Sequence, residues 1–277
     1  MDNTEKQRPK LGRVTWAQIG NSMLYLGDCF DIVPKLDKFN IELDAVISDP
    51  PFGITDCKWD KAIPLDKFWA MLDCRTKSTA NFIFFGCGKF TVDLINSKRK
   101  WYRYDLIWQK NNKVGFLNAR KQPMRSHEQV LVFGRPGFRD SATYNSQKTR
   151  GGRVGIITRN HRSSVYRDRG EHIHVADGTQ HPCSILPFKS EKIKGLHPTL
   201  KPLSLMEFLV NSYTDAGNIV LDPFMGSGST GVAAINMDRR FIGIEKEQRY
   251  FDIALRRIVE AHEKRKAMHP FYWHQQR

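Results

Sequence analysis

The run Ile219-Val220-Leu221-Asp222 opens into Pro223-Phe224-Met225-Gly226-Ser227-Gly228-Ser229-Thr230 and then into the apolar-rich stretch Gly231 to Met237. That succession predicts a buried strand, a glycine loop and a helix. It constrains the fold strongly, because a strand end joined to a helix start through glycines is a building unit of parallel sheets. Gly226 and Gly228 allow backbone conformations and close approaches that a Cβ would block, so the loop can deliver a ligand to the helix N-terminus. Their spacing is not that of the three-glycine dinucleotide fingerprint, and the Gly-Lys-Ser/Thr ending of a phosphate loop is missing. Further on, Phe241-Ile242-Gly243-Ile244-Glu245 predicts a second strand. It ends on a carboxylate roughly 20 residues after the loop, where doubly wound sheets hold a ribose hydroxyl pair. The implied ligand carries ribose but no phosphate.

The same alternation runs through the first half of the chain. Strands are predicted over Leu43 to Ser48, Asn81 to Phe85, Tyr104 to Trp108 and Gln129 to Phe133, with helices over Leu65 to Leu72 and Lys89 to Ser97. Later helices are expected from Leu203, just after Pro202, to Tyr213, and from Gln248 to Ala267. The first twenty residues are polar and read as a loose tail, as does 268–277. No internal repeat or low-complexity segment is visible.

The run Leu43 to Ser48 ends on Asp49-Pro50-Pro51-Phe52. The two prolines fix φ and remove two backbone donors, so this turn offers carbonyl oxygens, a carboxylate and a flat ring at one edge. It suits a planar amino group, such as the exocyclic amine of a nucleobase, which has two N–H donors and a π-face. An ordinary strand-to-loop turn would have the same sequence, and the motif alone does not separate the two.

Several separated segments together resemble the DNA amino-methyltransferases, whose catalytic motif reads Asp/Asn/Ser-Pro-Pro-Tyr/Phe. Asp222 to Thr230 is similar to that family's cofactor loop, and His197-Pro198-Thr199-Leu200-Lys201-Pro202 to the segment preceding it in one subgroup. Leu24-Tyr25-Leu26-Gly27-Asp28-Cys29 resembles the strand end whose acid meets the cofactor's adenine, and His127 to Phe133 a late strand of the catalytic half. The catalytic motif precedes the cofactor loop, the order of the β group. The resemblance covers about 21–260 except for about 135–194.

It implies an α/β, Rossmann-like class I methyltransferase fold, with a seven-stranded, mostly parallel sheet and helices on both faces. It divides the chain into a catalytic half at 21–134, a target-recognition insertion at 135–194 and a cofactor half at 195–267. The implied cofactor is S-adenosyl-L-methionine. On this resemblance Asp28 takes its adenine amine, with Cys29 beside it, and Glu245 its ribose. The region of Asp222, Phe224, Gly226, Ser227, Gly228 and Thr230 takes the methionine part and ring face, and His197, Thr199 and Lys201 reach the methionine carboxylate.

Charge points to the other substrate. Forty-four Lys and Arg against 29 Asp and Glu leave a formal net charge of +15, as suits a polyanionic partner, by default nucleic acid. Within 135–194 there are twelve Lys and Arg against five Asp and Glu, among them Lys148, Arg150, Arg153, Arg159, Arg162, Arg167 and Arg169. These suit phosphates, with Tyr144, Asn145, Gln147 and Tyr166 for base edges; the segment is too polar to build much core, solvated surface is the alternative reading, and on either reading ordering on DNA is expected. The stretch Lys110 to Arg125, with Lys113, Arg120 and Lys121, is expected to be a mobile loop over the duplex. Five cysteines without a Cys-x-x-Cys pair, and histidines without ligand spacing, suggest neither disulfides nor a metal. No apolar run approaches the roughly 20 residues that span a bilayer, so a soluble protein of the bacterial or phage-infected cytoplasm is expected.

The expected reaction moves a methyl group from S-adenosylmethionine to the N6 amine of an adenine extruded from double-stranded DNA. Asp49 and the Pro50 carbonyl accept the two N–H bonds, Pro51 holds the turn, and Phe52 stacks the base. Asp at the first motif position resembles adenine-modifying members. Cytosine N4, RNA or a protein glutamine remain open as acceptors, as does a non-catalytic nucleic-acid-binding role. A homodimer and a separate restriction endonuclease are the partners implied by analogy.

Overall fold

A computed structural model describes residues 15–54, 60–160, 171–191 and 200–268. In chain order the strands are β1 (Thr15–Ile19), β2 (Ser22–Leu26), β3 (Leu43–Ser48), β4 (Thr76–Gly86), β5 (Tyr102–Val114), β6 (Arg125–Phe133), β7 (Thr149–Asn160), β8 (Glu171–Gln180), β9 (Ile185–Leu186), β10 (Ile219–Asp222) and β11 (Arg240–Glu245). The helices are α1 (Cys29–Ile32), α2 (Leu65–Asp73), α3 (Lys89–Ser97), α4 (Leu203–Tyr213), α5 (Ser229–Asn236) and α6 (Gln248–Met268).

The main sheet runs β1-β2-β11-β10-β3-β4-β6-β5-β9. Its centre, from β2 to β4, is parallel throughout, and β6 enters antiparallel between β4 and β5. Nine strands of mixed direction therefore replace the seven expected. The additions lie at the edges: β1 pairs antiparallel with β2, and the two-residue β9 pairs with β5. Residues 15–19, expected in a loose tail, form β1 because the alternation ending in buried Ile19 suits a sheet edge packed beside α6.

The central strands are apolar at nearly every position because both faces are covered. Ala45, Ile47, Ile83, Phe85, Val130 and Val132 face α4, α5 and α6. Their neighbours in sequence, Val46, Phe82, Phe84, Leu131 and Phe133, face α2 and α3 in a second core rich in rings, with Trp69 against Phe82, Phe84 and Phe133. Among the described residues no helix is long and apolar enough to cross a membrane.

Two basic stretches have more structure than expected. Lys110 to Arg125 is the distal part of a β5–β6 hairpin: strand to Val114, a short 3-10 turn at Phe116–Asn118, and strand again from Arg125. Backbone pairing of Val114 with Arg125 closes it. Within the insertion, β7 and β8 pair antiparallel into a ribbon separate from the main sheet. Val154, Ile156, Ile173 and Val175 lie exposed on it.

Candidate active site

The catalytic turn and the glycine loop lie at the carboxyl ends of the adjacent parallel strands β3 and β10. They open on one cavity of about 710 Å³. One bond ties the two motifs together: Ser48 Oγ, next to Asp49, donates to Asp222 Oδ1 at 2.5 Å. Asp222 Oδ2 accepts from Thr230 Oγ1 at 2.6 Å, and Oδ1 also from the Phe224 N–H at 3.1 Å. Burial pushes this carboxyl up to about 6 against the pull of those three donors. Asp222 thus organises the loop, and both its oxygens are occupied in doing so.

The rest of the loop is braced from outside. Gly228 caps α5 at φ +79°, and a Cβ there would meet Ala254 Cβ at 3.0 Å. It serves loop closure under α6, and it is not on the cavity wall with the other loop residues. Arg257 of α6 donates to the Ser227 carbonyl at 2.5 Å and reaches the Ser229 hydroxyl. Glu245, at the end of β11, accepts the Gly226 N–H at 2.9 Å and the Glu247 N–H at 2.8 Å, and burial lifts its pKa. Asp28 caps α1 by accepting the Phe30 N–H at 3.0 Å and meets Lys246 at 3.0 Å. Cys29 beside it is buried on the cavity wall, its thiol pushed up to about 12 by burial and the Asp28 charge.

The catalytic turn is held differently. Asp49 Oδ2 accepts from Lys201, while Oδ1 is enclosed and has no hydrogen-bond partner. Lys201 also lies 3.3 Å from Glu128, which Lys110 pairs in turn. Burial raises the Asp49 pKa against the pull of Lys201. It also penalises ionised Glu128, but Lys201 and Lys110 together hold that carboxyl below its usual range. Phe52, partly buried on the cavity wall, stacks on Phe90 at 4.9 Å between centroids. After the motif the chain turns at Gly53, φ +68°, where the buried Asp60 carboxylate accepts the N–H of Gly53 at 2.7 Å and of Ile54 at 3.0 Å.

Asp49, Pro50, Pro51 and Phe52 therefore share the cavity with Asp28, Cys29, Lys201, Asp222, Phe224, Gly226, Ser227, Thr230 and Glu245. Lys201, expected at a methionine carboxylate, is committed to Asp49 and Glu128, because a buried ammonium takes the nearest carboxylates. His197 and Thr199 lie outside the described residues, as do Arg162, Arg167 and Arg169. Arg125 lines the cavity and donates to Cys87 Sγ, whereas Lys113, Arg120, Lys121, Lys148, Arg150 and Arg153 are exposed. Arg159 falls on β7. Glu128, Lys110, Ser48 and Asp60 were not singled out from the sequence. The available signal for Glu128 was a carboxylate at the head of the apolar strand Gln129 to Phe133. Among the described residues, no three His, Cys, Asp or Glu side chains gather as metal ligands.

The parallel sheet, the loop at β10 and the cleft at the strand ends define an α/β fold of the class I methyltransferase type. Residues 43–256 match the family described as DNA methylase, of the N6/N4 methyltransferase type, and the chain belongs to that family. It is 27% identical over 262 residues to the Type II methyltransferase M.HinfI of Haemophilus influenzae, across 84% of this chain and 67% of that one. A 70-residue stretch is 46% identical to Type II methyltransferase M2.MboI of Moraxella bovis, 25% of this chain and 26% of that protein; the chain thus spans about a quarter of this second relative's length. Among solved structures, M1.HpyAVI in complex with SAM superposes with a TM-score of 0.57 at 26% identity, over 85% of this chain and 98% of that one. The cytosine-N4-specific PvuII DNA methyltransferase, at 14% identity and a TM-score of 0.60 over 90% and 93% of the two chains, shares the fold.

Proposed function

We propose that this protein transfers the methyl group of S-adenosyl-L-methionine to the N6 amine of an adenine extruded from double-stranded DNA at a specific sequence. The observation that carries the reading is the free Oδ1 of Asp49. A buried carboxylate oxygen without a partner is costly unless a ligand supplies the missing donor, and Asp49 lines the cavity bordered by the glycine loop. An exocyclic amine has the N–H to give.

The residues fit the donor. Glu245 and Asp28 are acids that keep acceptor capacity at the cavity wall, suited to hydroxyls and an amine, and the Gly226 backbone leaves room that a side chain would fill. S-adenosylmethionine supplies a methyl group on a positive sulfur. The protein's part is alignment and charge. The Asp49 carboxylate and the Pro50 carbonyl accept the amine's two N–H bonds, drawing the nitrogen out of conjugation and stabilising positive charge as it forms. Phe52, at the cavity wall, stacks the base, and the Ser48–Asp222 bond keeps acceptor and donor sites in register. Exposed Lys113, Arg120, Lys121, Lys148, Arg150 and Arg153 supply positive charge for the duplex, with the β7–β8 ribbon as target-recognition element between a catalytic and a cofactor half. A homodimer and a companion restriction endonuclease complete the proposal by analogy with the Type II relatives.

The test is transfer of labelled methyl to unmodified genomic DNA, followed by digestion to nucleosides. Label in N6-methyl-2′-deoxyadenosine is expected; label in N4-methyl-2′-deoxycytidine reassigns the base, and label only in RNA or protein overturns the reading.

A further inference from the structure

We propose that Lys201 is a positioning residue for the transfer step, its buried ammonium holding Asp49 by Oδ2, in a chain continued by Glu128 and Lys110, so that the carboxylate meets the substrate amine in one orientation and in its charged form. The inference rests on the assignment of Asp49 as the amine acceptor. It moves Lys201 from the cofactor side, where the sequence pattern put it, to the substrate side.

The geometry makes Lys201 a hub. It precedes α4, is 8% exposed, and reaches groups from four strands: Asp49 just after β3, Phe85 of β4, and Trp108 and Glu128, which pair within β5 and β6. Its Nζ lies 4.7 Å from the centre of the Phe85 ring and 5.9 Å from that of Trp108. Those rings leave the ammonium two carboxylates as partners and little freedom to turn away. An Asp side chain without such an anchor could rotate and exchange its two oxygens. With Oδ2 held, Oδ1 stays enclosed without a hydrogen-bond partner and the carboxylate keeps one orientation at the cavity wall.

The arrangement also sets which form of Asp49 exists. Only the ionised form stabilises a positive nitrogen. Burial favours the protonated form, as does the Glu128 charge, while Lys201 and, more weakly, Lys110 favour the ionised one. The other charged or titratable groups around the cluster are Arg125 and Cys87, which contact each other, and Asp222 behind Ser48. Lys201 and Glu128 therefore act on Asp49 with opposite sign. This separates positioning from mere structural support, which would alter stability without moving a titration.

The experiment measures methyl transfer to unmodified genomic DNA at saturating S-adenosylmethionine across about pH 5 to 9, and over a range of S-adenosylmethionine concentrations near neutrality, with thermal melts, for wild type, K201M, K201R and E128Q. In K201M the acid limb is expected to move up by about one pH unit or more. Near neutrality its kcat falls at least roughly tenfold, while the KM for cofactor changes less than about threefold. K201R restores part of both. E128Q moves the acid limb the other way. Coincident limbs for wild type and a folded K201M overturn the proposal. If K201M does not fold, E128Q decides: an acid limb that is unmoved or moves up overturns it. Wild type that methylates no DNA sinks the functional reading and this inference with it, whereas an active wild type with coincident limbs sinks this inference alone.

Discussion

The two walls of the cleft treat their acids in opposite ways. In the glycine loop, Asp222 has both oxygens bonded, to Ser48, Thr230 and the Phe224 N–H. In the catalytic turn on the neighbouring strand end, Asp49 keeps one oxygen enclosed and unmet. The first is a satisfied network that rigidifies; the second is an acceptor held ready at a cost to the free protein. The loop wall serves folding, and the other wall is the one the proposed chemistry uses. Buried acids near a catalytic centre are therefore told apart by what their oxygens touch.

The largest expected effect breaks this contrast at Asp49. Asp49→Ala should reduce methyl transfer by about 10²–10³-fold, with cofactor affinity changed less than about threefold, and lower the melting temperature because Lys201 loses one of its two carboxylates. Unchanged transfer would remove Asp49 from its role. Asp222→Ala should do the reverse, costing about 2–4 kcal/mol in chemical denaturation because it leaves the Ser48 and Thr230 hydroxyls and a backbone N–H without their acceptor, and weakening cofactor binding with it.

The two acids also predict a pH effect. With its folded pKa raised to about 6, Asp222 binds its proton more tightly in the native state than in the unfolded chain. Its contribution is fully present below about pH 4 and is lost as pH rises through about 6, a swing of up to about 3 kcal/mol. Denaturation of wild type against Asp222→Asn across that range should show the slope in wild type alone.

Smaller changes sharpen the picture. Gly228→Ala forces a side chain into φ +79° and against Ala254; a destabilisation of about 1–3 kcal/mol is expected, measured by denaturant midpoint. On the surface, replacing Lys148, Arg150 and Arg153 together by Ala should lower the slope of log affinity for duplex DNA against log salt by about one for each phosphate no longer neutralised. A slope identical to wild type would place the duplex elsewhere.

How much was legible follows from which interactions are local. β3 and β10 begin and end where their apolar runs do, and α3 and α4 match their predicted spans, because a strand buried on both faces and an amphipathic helix each write their pattern into consecutive residues. β4, β5 and β6 extend beyond prediction, since their outer parts are polar and are held by pairing with neighbours. β1 escaped prediction for the same reason, as an edge strand whose partner defines it. In the site, the two motifs and the carboxylate at Glu245 were readable as strand-end signals. Gly228 reads as a ligand-facing residue in the sequence because glycine permits close approach, but what approaches is α6.

The order of motifs, the alternation of apolar runs and helices, and the surplus of positive charge were determined by the sequence itself, since each is a property of neighbouring residues or of their sum. Tertiary structure alone decided that Ser48 meets Asp222 across 174 positions and that Lys201 meets Asp49 across 152. An ion pair or buried hydrogen bond between distant segments depends on which groups folding brings within reach after water is excluded, and no local pattern records that.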